Sequence, residues 1–81
     1  MSYSILQNQE SNRFETTVEG NLCELNYSQI EAVMTMNRVY VPPPVEGRGI
    51  AGALTRFALD HCAENHLKVI PRCPYVAAWI K

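Results

Sequence analysis

Three consecutive prolines, Pro42, Pro43 and Pro44, follow the most strand-like stretch of this sequence and fix where it ends. Proline lacks an N–H and locks φ, so neither a central strand nor a helix interior passes through such a triplet. The run AVMTMNRVYV before the prolines therefore stops at about Val41. Along it, Val33, Thr35, Val39 and Val41 share one parity, while Met34, Met36 and Tyr40 share the other. Both faces are mostly apolar, which suits a central strand rather than an edge.

Upstream, RFETTV is rich in aromatic and β-branched residues, Glu19-Gly20-Asn21 is a turn signal, and LCELNY follows; the three read as a β-hairpin. Ser28 to Glu31 reads as the next connection. Residues 1–12 are polar and nearly aperiodic, and two readings stay open for them: a frayed tail or a short edge strand.

Downstream of the prolines, IAGALTRFALDHCAENH places Ile50, Leu54, Phe57, Ala58 and His61 or Cys62 at helical spacing, with Thr55, Arg56, Asp60 and Glu64 on the other side. Asn65-His66 supplies the stop, because Asn and His tolerate the left-handed conformation better than most residues. LKVIPRC then reads as a strand, with Pro71 marking a bulge or an exposed edge. Pro74 starts a last helix, YVAAWIK, in which Tyr75, Ala78 and Trp79 are spaced to pack. The expected fold class is α/β of the α+β kind, one domain over residues 1–81. It has a mixed, mostly antiparallel sheet of about five strands with helices on its faces, one long helix after a glycine turn and one short C-terminal helix.

Composition narrows the function. An 81-residue chain buries only roughly 60 to 65% of the surface its unfolded form exposes. With 47% hydrophobic and 19% charged residues it nevertheless has the balance of a folding chain. Seven Lys plus Arg against eight Asp plus Glu leave no electrostatic footprint for nucleic acid, which is excluded as a partner. Apolar runs are too short to span a membrane, and Glu10, Arg13 and Glu15 interrupt the start of the chain where a signal peptide would need an apolar block. Cys23, Cys62 and Cys73 fit neither a disulfide framework nor a zinc site, so no metal is expected and a reducing, cytoplasmic setting fits. Cys23, Cys62, His61 and His66 are read as structural, and Met34 and Met36 as core.

The chemistry is expected at Glu46-Gly47-Arg48-Gly49-Ile50-Ala51. A strand that ends in a glycine turn opening a helix aims unpaired amides, and the positive end of the helix dipole, at one spot where an anion belongs. Gly47 and Gly49 clear the approach to a phosphate, Ala51 nearly does so, and Arg48 adds a cation. A tight connection in which the glycines serve backbone geometry alone is the other reading of the same residues. Neither a P-loop nor the dinucleotide glycine pattern is present.

Gly49 and Ala51 resemble the last two defined positions of the Gln/Arg-x-x-Gly-x-Gly/Ala motif of GNAT acyltransferases. Val41-Pro42-Pro43, the glycine turn, the helix Leu54 to Leu59, and the stretch from Leu67 to Val76 containing Cys73-Pro74-Tyr75 are similar to its small N-acetyltransferase-domain subfamily. The likeness covers about residues 13 to 81. Glu46 stands where Gln or Arg is usual, His66 where glycine is usual, Trp79 where tyrosine is common, and the sequence lacks the His-Pro ending of many relatives.

The resemblance implies acetyl-CoA (or CoA) as the ligand, held between two splayed strands, those ending at Val41 and Cys73, with its diphosphate on residues 46–51. It implies a backbone donor near Tyr40 or Val41 and a cysteine at Cys73 able to act as an acyl-carrying nucleophile. Tyr75 is a candidate general acid toward the departing thiolate. The acyl acceptor, a small amine or a protein, and the oligomeric state are not specified. A non-catalytic acyl-CoA sensor or a protein-interaction module remains the alternative to an acetyltransferase.

Overall fold

The computed structural model describes residues 3–80. Five strands, β1 (Leu6–Asn8), β2 (Arg13–Val18), β3 (Asn21–Ile30), β4 (Val33–Tyr40) and β5 (Lys68–Pro71), lie side by side in chain order. Pairing is antiparallel from β1 to β4 and parallel between β4 and β5. The parallel step is bridged by the long helix α1 (Ile50–Glu64), and a short helix α2 (Pro74–Ile80) closes the described chain. The α+β class and the order of elements are those expected from the sequence. Of the two readings of residues 1–12, the edge strand holds for Leu6–Asn8; residues 1 and 2, and Lys81 of the expected last helix, lie outside the described residues.

Turns set the register. Glu19 and Gly20 both have positive φ, 50° and 77°, giving the mirror-image two-residue turn that matches strand twist, with Val18 opposite Asn21. The next connection is shorter than expected: Ser28, Gln29 and Ile30 pair with Thr35, Met34 and Val33, leaving only Glu31 and Ala32 to turn. Their polar side chains resemble a loop, yet the backbone finds ladder partners whatever the exposed side chains are.

A bulge corrects the simple parity of β4. Asn26 pairs with Arg38 and Tyr27 with Met36, so Asn37 is an extra residue. Beyond it the alternation is reset, and Val39 and Val41 pack on the same core as Met34 and Met36 instead of facing away from them.

That core lies on one face of the sheet. Phe14, Cys23, Leu25, Tyr27, Met34 and Met36 are buried beneath Ile50, Leu54, Ala58 and Cys62 of α1 and Val76 of α2. The Phe14 ring meets those of Tyr27, Phe57 and His61 at centroid distances of 5.1, 5.8 and 5.4 Å. The opposite face carries Arg13, Glu15, Glu24 and Asn26, while the buried residues of both helices pack on the core face, which makes a two-layer arrangement.

Two helical faces also differ from their spacing. Thr55 is fully buried rather than solvated, because its hydroxyl donates to the Ala51 carbonyl at 2.8 Å and leaves only its methyl to the core. In α2 the inward residue is Val76; Tyr75, Ala78 and Trp79 are exposed. Cys73, buried and tied to β4, fixes the rotation of α2, and the residue three further along follows it inward. The helix stop is as expected: Asn65 caps α1, with its side-chain amide on the His61 carbonyl at 2.8 Å, and His66 has φ 56°.

Candidate ligand cleft at the glycine turn

The ladder between β4 and β5 runs from Val33 opposite Lys68 to Met36 opposite Pro71. One further bond, from the Cys73 N–H to the Met36 carbonyl at 2.9 Å, ends the contact. Two local causes part the strands there. The Arg72 N–H, the next donor in line for β4, bonds back to the Ile70 carbonyl at 3.0 Å, and the Asn37 bulge interrupts β4 just beyond Met36. The gap widens into a cleft of about 530 Å³. Val39, Tyr40 and Val41 form one wall, Tyr75 of α2 lines it as well, and Gly47, Gly49 and the first turn of α1 lie at its base.

The turn is built stepwise. Val45 and Glu46 donate to the carbonyls of Pro42 and Pro43, at 3.0 and 3.2 Å, closing a short 3₁₀ turn whose Val45 side chain is fully buried. Gly47 and Gly49 then adopt φ 79° and 76°, where an L side chain is strained; a Cβ at either would meet nothing within 4 Å. The glycines thus serve the backbone conformation and leave open space beside it. Gly49 caps α1 without a side-chain bond, and the first helical bond is from Ala53 to the Gly49 carbonyl at 3.0 Å. Among the described residues, no group accepts a hydrogen bond from the amides of residues 47 to 52. Free donors and the positive end of a helix of about four turns therefore meet at one corner of a cleft whose lining also carries Glu46 and Tyr75, an arrangement that favours an anionic group at that corner.

The structure brings Tyr40, Val41, Glu46, Gly47, Gly49, Ile50, Ala51 and Tyr75 together on this cleft. The Arg48 guanidinium points elsewhere. Its Nη1 and Nη2 donate to the two Glu19 oxygens at 2.5 and 3.4 Å, and the Arg48 carbonyl accepts from the Tyr3 hydroxyl at 2.6 Å. Cys73 is 6% exposed, outside the cleft lining, and its carbonyl accepts the Ala77 N–H at 3.0 Å. Burial pushes the Cys23 and Cys62 thiols up, as suits core residues. Tyr40 lies under the Arg38 guanidinium, 4.8 Å from its ring centre.

Val39, Pro43 and Gly52 also line the cleft and were not singled out from the sequence. For Gly52 a signal existed, a third glycine one helical turn beyond Gly49. A Cβ there would sit 3.4 Å from the Tyr75 hydroxyl and 3.5 Å from Trp79 Nε1, so Gly52 lets these aromatic side chains close over the start of α1.

A mixed sheet whose parallel pair splays over a glycine turn defines an α+β protein with an open cleft between β4 and the start of α2. The chain belongs to the GCN5-related N-acetyl-transferase family, whose model matches residues 13–81. Among the described residues, no group of three or more metal-ligating side chains converges, and no helix is long and apolar enough to cross a membrane.

Proposed function

We propose that the protein is an acetyltransferase that takes acetyl-CoA into this cleft, with the diphosphate on the main-chain amides of residues 47 to 52. The observation that carries the reading is the unpaired state of those amides at the uncapped start of α1. Acetyl-CoA would supply an acetyl group already activated as a thioester.

The protein's residues divide the remaining work. Gly47, Arg48, Gly49, Ile50 and Ala51 bind through backbone N–H groups. Val39, Val41 and Pro43 give the pantetheine arm an apolar wall and exclude water from it. An amide near Tyr40 or Val41, on the length of β4 that has left β5, donates to the carbonyl oxygen where negative charge develops. Tyr75 gives its proton to the departing sulfur. We favour direct transfer to the acceptor over a covalent route, because Cys73 is buried and outside the cleft lining. The acceptor, a small amine or an exposed protein amine, approaches from solvent as the free base; its nitrogen bonds the acetyl carbon as the C–S bond breaks, and the proton it loses passes to solvent, which reprotonates Tyr75.

Incubation with acetyl-CoA and a panel of amines, followed by mass analysis of amine and protein, tests this. Acetylated amine with an unmodified protein is the expected result. Glu46, an exposed carboxylate on the cleft, favours one second reading, acyl-CoA binding without turnover. Calorimetric binding with no acetylated product would select it.

A further inference from the structure

Arg48 is the one cation in the glycine turn, and its side chain does not line the cleft but is committed to Glu19. Its guanidinium forks onto Glu19, at the tip of the β2–β3 hairpin, while its carbonyl receives the Tyr3 hydroxyl from the segment before β1. Glu19 is itself held in the left-handed conformation by the two-residue hairpin turn, so the anchoring carboxylate sits on a rigid element. The turn it holds needs such an anchor. Gly47 and Gly49, on either side of Arg48, have open space where side chains would be, so no packing of their own restrains them.

We propose that Glu19 and Tyr3 are positioning residues that orient the amides of residues 47 to 52 through Arg48, and that the Arg48 side chain is a strut of the turn rather than a ligand of the diphosphate. This rests on the reading of the turn as a diphosphate site. A cation free to join the ligand would make Glu19 a competitor, and removing Glu19 would then strengthen binding. A strut gives the opposite sign: losing Glu19 loosens the turn and weakens binding, although a negative charge has been taken away from an anion site. The Arg48 guanidinium, chiefly through its hydrogen bond, holds the Glu19 carboxyl below its ordinary value.

The test is CoA calorimetry on the 81-residue chain with Glu19→Gln, Arg48→Glu, Tyr3→Phe and the charge-swapped pair Glu19→Arg/Arg48→Glu, alongside 15N relaxation of the ligand-free proteins. The ion pair is exposed, so its loss is modest: Glu19→Gln is expected to weaken CoA binding by about two- to fivefold. Tyr3→Phe acts in the same direction. Arg48→Glu is weaker still, and the swapped pair recovers most of the loss. In the absence of ligand, Glu19→Gln lowers the order parameters of Gly47, Arg48 and Gly49, and the swap restores them. Tighter or unchanged binding in Glu19→Gln, or a swapped pair as weak as Arg48→Glu, overturns the proposal. If the unsubstituted protein does not bind CoA, the diphosphate reading fails on its own; the relaxation data still decide the strut, and unchanged order parameters in Glu19→Gln reject it.

Discussion

The Cys73 N–H donates to the Met36 carbonyl at 2.9 Å, and the two residues mark the apex from which β4 and the chain after β5 diverge. The next residue along β4, Asn37, is the bulge, and the next after Cys73 is the proline that opens α2. The cleft is thus set by backbone events at its apex, the Arg72 amide turned back onto Ile70 and an extra residue in β4, more than by the side chains that line it.

Deleting Asn37 tests that origin. Without Asn37, Met36 and Arg38 become neighbours opposite Tyr27 and Asn26, so plain alternation keeps Val39 and Val41 on the core face while β4 runs on straight. The burial of the valines, worth roughly 1.5–3 kcal/mol for a fully buried side chain, is therefore largely retained in urea unfolding, and the expected loss is of CoA affinity. Unchanged CoA affinity in the deletion variant would show that the bulge does not open the cleft.

Gly52 separates a tolerated substitution from a disruptive one. Its φ is not in the left-handed region, and a single Cβ would stand in ordinary contact with Tyr75 and Trp79. Gly52→Ala should therefore stabilise the helix by about 0.5–1 kcal/mol in thermal or urea unfolding. Gly52→Leu should instead displace the Tyr75 hydroxyl and lower kcat by about tenfold or more, within the contribution expected of a positioned general acid.

Thr55 yields a stability prediction that spacing alone would have reversed. Because its methyl is in the core and its hydroxyl bonds only to its own helix, Thr55→Val should change stability by no more than about 1 kcal/mol. A residue on a solvated face would accept lysine freely; here Thr55→Lys buries an unpaired charge and should abolish cooperative unfolding.

Acid sensitivity follows from two exposed ion pairs. Arg13, chiefly through its hydrogen bond, holds Glu15 below the ordinary carboxyl value of 4.5, and Arg48 does the same for Glu19. A depressed folded value means that the stabilisation is fully present above about pH 4.5 and is lost as pH falls through the lower folded values. Melting temperature should hold between pH 7 and 5 and decline below 4.5, with a shallower decline in Glu15→Gln and Glu19→Gln. Above pH 9.0 the buried Cys23 and Cys62, whose thiols are pushed up, should lower stability as the unfolded chain ionises them first. A melting temperature flat to pH 3 would contradict the acid half of this account.

The parts of the fold legible in the sequence were those dictated by backbone chemistry. The proline triplet ended β4, Gly47 and Gly49 marked the left-handed positions, and Asn65-His66 stopped α1. What periodicity hid were the features in which one residue breaks the count. Asn37 resets the parity of β4 without any glycine or proline to announce it. Thr55 hides its hydroxyl in its own helix, and Ser28–Ile30 look like a loop but pair. At the candidate site, the residues presenting backbone amides were readable from the glycines. The direction of the Arg48 side chain was not, because it depends on Glu19, 29 residues away in the chain.

The most direct test of the central claim is a 15N–1H NMR titration of the protein with CoA. Saturable shifts concentrated in the amides of residues 47 to 52, and in Tyr40 and Val41 across the cleft, are the expected result. Shifts centred on the open face of the sheet around Arg13 and Glu24, or no saturable shift at millimolar CoA, would contradict it.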